Sequence, residues 1–401
     1  MNTVPTDTSS KIPLSVPEIG GNEWKYIKEC LDTGWVSSVG PFVNRFEKEF
    51  ASFVGANEAV AVSNGTVALH VALRMIGVGP GDEILVPDLT FVAPINAVTY
   101  CQAHPVFIDV DPLDWQIDVL KVSRFLESEC IRRGDECINK TSGRRVRAIL
   151  PVHLLGLACR MDAITELANQ HHLCVVEDAA EAVGVRYKGR YAGTFGDVGA
   201  FSFNGNKIIT TGGGGMVVTN NRSRAEYARY ITTQAKDDPI EYIHEEVGYN
   251  YRLSNLQAAM GVAQLERVHE FLERKRKVAR IYEAAFADLE GITCMPSPEN
   301  VEAAFWLYAV LLPPGTTLER RKEVIASLND HGIGARSFWH TIHDLTPYRT
   351  CQNFEIEHSV NLYTRGICLP SSVGLTESDQ TRCIDTFKKV IHGAASDNAR
   401  R

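Results

Sequence analysis

The stretch "VGAFSFNGNKIITTGGGGMVVTN" (198–220) joins two apolar runs through a turn that carries one lysine and four consecutive glycines. Its ends, "VGAFSF" and "GMVVTN", are continuous rather than alternating, the pattern of strands covered on both faces. Lys207 between them admits three readings: a phosphate-binding charge, a solvated surface residue, or a nucleophile. A nucleotide-cradling loop needs its glycines before the lysine and Ser or Thr directly after it. Here the glycines follow, and Ile208 succeeds the lysine, so that reading fails. The flanks are too apolar for a surface loop. A lysine in partly apolar surroundings has its ammonium form disfavoured, which makes it a usable Schiff-base nucleophile.

Similar apolar runs recur upstream: "AVAVSN" (59–64), "EILVPD" (83–88), "PVFIDV" (105–110), "RAILPVH" (147–153) and "LCVVEDA" (173–179). Helix-length segments lie between several of them; "TVALHVALRMIG" places Leu69, Leu73 and Ile76 on one stripe. Strands alternating with helices predict an α/β domain with a largely parallel sheet, at 30–255. Residues 253–286 read as one long helix, with "ERKRK" (273–277) as a solvated face. Beyond it the pattern predicts a smaller α+β domain, 256–401. Residues 1–29 form an N-terminal segment whose helix, "GNEWKYIKECLDTG", carries Trp24, Ile27 and Leu31 on the face expected to pack on that smaller domain. The charged stretch 127–147 reads as an excursion loop.

The 401 residues are 44% hydrophobic and 22% charged with net charge −8, ordinary globular composition that argues against a nucleic-acid platform. Ten cysteines at irregular positions include no CxxC pair, so neither a zinc ribbon nor a disulfide framework is expected. Residues 1–10 are polar, and no apolar stretch reaches membrane-spanning length. The expectation is a cytoplasmic globular protein without a membrane partner. "WHTIH" (339–343) offers histidines but no third ligand nearby, so no metal site is expected.

Three stretches carry chemistry. "SNGTVALH" places Asn64, Gly65 and Thr66 after a strand and at a helix start, which makes either an anion site or simply a helix cap. Asp178 ends a buried strand, where ligands bind in open α/β sheets. It pairs there with a cation, such as a protonated pyridine nitrogen, or caps the following helix. Ser202 lies five residues before Lys207 and within reach of the same anion. Phosphate anchor, pyridinium partner and aldehyde-capturing amine are together what pyridoxal 5'-phosphate requires.

The order "NGTVALHVAL", "VPDLTFVAPINAV", "PVHLLG", "VEDAAEAVG", "GDVGAFSFNGNKIITTGGGG" and "GYNYRLSNLQAAMGVAQLE" resembles the DegT/StrS sugar aminotransferases, from about residue 12 to 380. Details such as the 127–147 excursion, "TTQAKDDPIEYIHEEVGYNYRL" and "CQNF" resemble a narrower group. That group serves legionaminic-acid and bacillosamine-type pathways, on UDP-linked 4-keto-6-deoxy-N-acetylglucosamine. The resemblance implies a fold-type I pyridoxal-phosphate transferase, aspartate-aminotransferase-like, moving an amino group from L-glutamate to a nucleotide-linked 4-keto sugar for a bacterial surface glycan. It implies that Lys207 binds the cofactor covalently and that Asp178 holds the pyridinium. Gly65, Thr66 and Ser202 bind the phosphate, and Phe91 stacks on the ring. Asn250 reaches the phosphate of a neighbouring subunit, making the active unit a homodimer. His153 either lines the pocket or is a satisfied core histidine, and Arg336 contacts substrate. Glu181 stands where most relatives have Gln or His, facing the cofactor's phenolic oxygen, and an Arg-x-His-Gly common in relatives is replaced by "TTQAKDD". A pyridoxamine-dependent dehydratase on the same scaffold resembles relatives with histidine in place of the lysine, so Lys207 speaks against it. A non-catalytic cofactor-binding regulator would carry a DNA-binding module, for which this chain has neither a spare domain nor a basic face.

Overall fold

A computed structural model describes residues 11–238 and 240–398; the polar leader 1–10 lies outside the described residues. The chain opens with α1 (Glu23–Thr33) and α2 (Pro41–Val54). Then follow β1 (Glu58–Val62), α3 (Gly65–Met75), β2 (Glu83–Pro87), α4 (Ala93–Tyr100), β3 (His104–Ile108) and α5 (Val119–Ser128). After these come β4 (Cys130–Arg133), β5 (Glu136–Asn139), β6 (Arg145–Ile149), α6 (Met161–Gln170) and β7 (Cys174–Asp178). A small hairpin, β8 (Arg186–Tyr187) and β9 (Arg190–Tyr191), precedes β10 (Val198–Ser202), β11 (Gly215–Thr219) and α7 (Arg222–Thr232). The C-terminal part contains α8 (Asn255–Leu265), α9 (Val268–Phe286), β12 (Thr293–Cys294), β13 (Val301–Glu302), β14 (Tyr308–Leu311) and α10 (Leu318–Asp330). It ends with β15 (Arg336–Ser337), β16 (Asn353–Phe354), α11 (His358–Arg365), β17 (Gly366–Leu369) and α12 (Glu377–Asn398).

The large sheet runs β1-β11-β10-β7-β6-β2-β3-β16, parallel from β10 to β16 and antiparallel at β11 and β1. Its strands read as unbroken apolar runs because successive residues feed two different cores. In β2, Leu85 enters one core while Ile84 and Val86 enter the other; in β7, Val175 and Val176 divide likewise. Every strand expected from sequence in this region is present, to within a few residues. A second sheet, β12-β14-β17-β15, is antiparallel. The 256–401 segment is not confined to it, because β16 pairs in parallel with β3 at the edge of the large sheet.

Four expectations are corrected. The segment 127–147 is a hairpin, not a loop: β4 pairs with β5, and β5 adds to β6. Its two-residue turn, Gly134-Asp135, has Gly134 at φ +63°, the left-handed conformation such turns demand. The helix 253–286 is two helices. α8 is buried along most of its length between α1 and α2, whereas α9 is amphipathic and leaves in a new direction at Glu266–Arg267. The apolar face expected of α1 is turned outward, with Trp24 79% and Leu31 58% exposed. α1 docks on α8 through polar contacts instead: Glu23 accepts from Gln264 at 2.6 Å, and Tyr26 donates to Glu266 at 2.7 Å. Finally, "ERKRK" is not wholly solvated. Lys275 is buried, and its ammonium donates to the carbonyls of Trp306, at 2.6 Å, and of Ser371.

Candidate active site

The carboxyl ends of β2, β7 and β10 open, with the first turn of α3 and residues of β15, onto a cavity of about 440 Å³. Gly65, Thr66, Phe91, Asp178, Glu181, Ser202, Lys207 and Arg336 all line it. A cavity of that size suits a small-molecule ligand.

The anion end is built by close backbone approach. Asn64 caps α3, its side chain accepting from Val67 N at 2.9 Å, which leaves the amides of Gly65 and Thr66 in a first turn without intrahelical acceptors. A Cβ on Gly65 would lie 2.7 Å from Ser202 Cβ and 2.9 Å from its Oγ, so only glycine allows helix and serine to meet here. The glycine run serves the same approach. Gly212, at φ +78°, makes the turn, and a Cβ on Gly215 would fall 2.5 Å from the Asn64 carbonyl. The structure shows the cap, and because the cap leaves the Gly65 and Thr66 amides open it does not exclude the anion reading of "SNGT".

Asp178 is buried and accepts from Ala180 N at 3.0 Å, with no ion-pair partner among the described residues. Burial raises its pKa, opposed by that amide and by the charge of Lys207. A buried carboxylate with so little compensation fits a cationic ring nitrogen. His153 does not line the cavity, which favours the second of its two readings from sequence. It is 0% exposed, accepts from Cys159 N on Nδ1 (3.2 Å) and lies 2.9 Å from Glu177 through Nε2. Because Nδ1 takes an amide proton, the ring carries its own proton on Nε2 and donates it to Glu177. It is a satisfied core histidine behind Asp178.

Lys207 Nζ lies 3.5 Å from Glu181 Oε1 and 3.8 Å from the centroid of the Trp306 ring. Glu181 Oε2 accepts from Leu155 N at 2.7 Å. That amide is aimed by an unusual turn, Leu155 at φ +60° and Gly156 at φ +81°. Burial raises the Glu181 carboxyl to about 7, against the opposing pull of Lys207 and the Leu155 amide. The carboxylate that the resemblance sets facing a phenolic oxygen is therefore a group that changes charge near neutrality.

Phe91 is 52% exposed at the cavity mouth. Arg336 is exposed, and its side chain has no hydrogen bond or ion pair among the described residues. Asn250 is exposed and outside the cavity. Sequence reasoning missed Trp306, sited in an apolar run where an aromatic residue reads as core. It missed Thr90 too, a buried hydroxyl that lines the cavity and has no hydrogen-bond partner among the described residues. Among the described residues no group of His, Cys, Asp and Glu is arranged to hold a metal, and no helix is long and apolar enough to cross a membrane.

The glycine cradle, the under-compensated Asp178, the orphan Thr90 hydroxyl and Lys207 together fit pyridoxal phosphate. Comparison with known proteins agrees. The chain is 42% identical over 382 residues to a GDP-perosamine synthase of Caulobacter vibrioides, covering 95% of this chain and 98% of that one. It is 40% identical over 367 residues to a GDP-perosamine synthase of Escherichia coli O157:H7, covering 91% and 94%. Among solved structures, a DegT DnrJ EryC1 StrS aminotransferase from Brucella abortus superimposes with a TM-score of 0.83 at 28% identity, over 92% of this chain and 94% of that one. Residues 17–388 match the DegT/DnrJ/EryC1/StrS aminotransferase family, and the chain belongs to this family of pyridoxal-phosphate-dependent nucleotide-sugar aminotransferases.

Proposed function

We propose that this enzyme transfers the amino group of L-glutamate to the 4-keto carbon of a nucleotide-linked 4-keto-6-deoxy sugar, with Lys207 as the residue that binds the cofactor and moves the proton. The observation that carries this reading is a lysine set between Glu181 and Trp306 in the cavity that also holds the Gly65–Ser202 cradle and Asp178. Pyridoxal phosphate supplies an aldehyde that accepts the amino group and an electron-withdrawing ring that stabilises the adjacent carbanion. Gly65, Thr66 and Ser202 bind its phosphate with first-turn amides and hydroxyls. Asp178 keeps the ring nitrogen protonated, because separating the pair would leave a buried charge unpaired. Phe91 covers the cavity mouth, and the free Lys207 amine serves as general acid and base. Glu181, 3.5 Å away, is the carboxyl nearest the amine for passing a proton. Arg336 is the free cation for an anionic part of the substrate.

Asn250 serves the neighbouring protomer in a homodimer. The segment before it supports a covered surface, since Ile240, Tyr242, Ile243 and Val247 are all largely exposed in a single chain. For the sugar, the sequence details favour UDP-linked 2-acetamido-2,6-dideoxy-4-hexulose. The names of relatives at 42% and 40% identity favour a GDP-linked 4-keto-6-deoxy sugar as a second reading. Offering UDP-, GDP- and dTDP-linked 4-keto-6-deoxy sugars with glutamate, and identifying products by NMR, separates them. Amination of none of the three would sink the proposal, and amination of the GDP sugar alone would replace the acetamido reading.

A further inference from the structure

Trp306 touches the Lys207 segment twice. Its ring face lies 3.8 Å, to the centroid, from Nζ, and its Nε1 donates to the carbonyl of Asn206 at 2.7 Å. The same carbonyl accepts from Ser15 Oγ at 3.0 Å, so the peptide before the lysine is tied from two sides. The indole is itself held. Its backbone carbonyl accepts from the buried Lys275 at 2.6 Å, and the Lys275 ammonium also donates to Ser371 O. Ser371 Oγ in turn accepts from Tyr308 N at 2.8 Å, two residues along the chain from the indole. Behind it, a Cβ on Gly156 would fall 2.6 Å from Trp306 N, and Ala304 N donates to Gly156 O at 2.9 Å. The turn that aims Leu155 N at Glu181 therefore also seats the backbone of Trp306. A charge as costly to bury as Lys275, spent on two backbone carbonyls, belongs to a place where position matters.

We propose that Trp306 is a positioning residue for Lys207, holding its cationic amine on the indole face beside Glu181, and that Lys275 fixes the indole by anchoring its carbonyl. A cation over an indole face is stabilised relative to the neutral amine. Trp306 thus keeps the protonated amine in one place, ready to return its proton. The inference rests on the reading of Lys207 as the reactive amine, but its test does not require turnover.

The test is the pH dependence of Lys207 acylation in the full-length chain prepared without cofactor, using acetic anhydride and peptide mass spectrometry. The midpoint reports the amine's protonation and, unlike the plateau rate, does not depend on how open the cavity is. Trp306→Leu is expected to lower the midpoint by about 0.5–1.5 pH units, and Trp306→Phe, which keeps a ring face, by less than half as much. Lys275→Met is expected to shift it in the same direction by a smaller amount. An unmoved midpoint in Trp306→Leu overturns the proposal, and an unmoved midpoint in Lys275→Met overturns its second half. Should Trp306→Leu not fold, Trp306→Met takes its place with the same expected shift, and an unmoved midpoint there overturns the proposal equally. Failure of Lys207→Ala to abolish cofactor capture would instead refute the functional reading, so the two failures are distinguishable.

Discussion

Replacing Glu181 with glutamine isolates the electrostatic cost of the carboxyl that faces Lys207. In the native protein this group's pKa is raised from 4.5 to about 7, with burial as the largest cause. An acid with a raised native pKa binds more protons folded than unfolded, so stability falls as pH rises between the two values. A shift of about 2.5 units corresponds to roughly 3 kcal/mol of destabilisation, complete only above pH 7. The side chain is 7% exposed, so solvent screening takes little from that figure. Glutamine cannot ionise, yet it can still accept from Leu155 N. The attraction to Lys207 acts only on ionised Glu181 and is already contained in the value of about 7, so the ionisation cost net of that attraction appears in the slope of the difference between the two curves. Urea unfolding of cofactor-free protein at one protomer concentration, followed by tryptophan fluorescence, measures both. Between pH 5 and pH 8.5 the variant should gain about 2.5 kcal/mol relative to the native chain. Parallel stability curves over that range, or divergence of the opposite sign, would refute the reasoning.

Three further substitutions test separate parts of the site. Gly65→Ala drives a methyl into Ser202, so cofactor affinity should fall at least tenfold with the fold intact, as read by spectroscopic titration; unchanged affinity would remove the cradle from the phosphate site. Gly156→Ala combines φ +81° with a Cβ 2.6 Å from Trp306 N, and thermal unfolding should show a loss of at least about 1–3 kcal/mol. Arg336→Ala should raise KM for the nucleotide sugar or for glutamate with little change in kcat, because it removes binding made equally in ground and transition states. A pure kcat effect would place Arg336 in the chemistry instead.

Much of this was legible in the sequence, and what was not has physical causes. The strands of the large sheet declared themselves because their apolar residues feed cores on both faces and so run on without strict alternation. Asp178 and Lys207 stood out because each needed a partner that its own stretch did not supply. The 127–147 hairpin was hidden by its charged outward face, although "RRGDEC" carries a two-residue turn with glycine at the left-handed position. The α1 face was misjudged because Glu23 and Cys30 are buried by specific polar contacts with α8 that hydrophobic periodicity does not register. Trp306 escaped because its role depends on Lys207 and Lys275, about 100 and 30 residues away, and local pattern carries nothing across such distances.

The central claim, that Lys207 is the residue that captures the cofactor, can be tested without knowing the sugar. The protein is mixed with pyridoxal phosphate, reduced with borohydride, digested and mapped by mass spectrometry. A phosphopyridoxyl adduct on the peptide carrying Lys207, absent in Lys207→Ala, is the predicted result. An adduct on another lysine such as Lys275, or equal labelling in the Lys207→Ala chain, would contradict it.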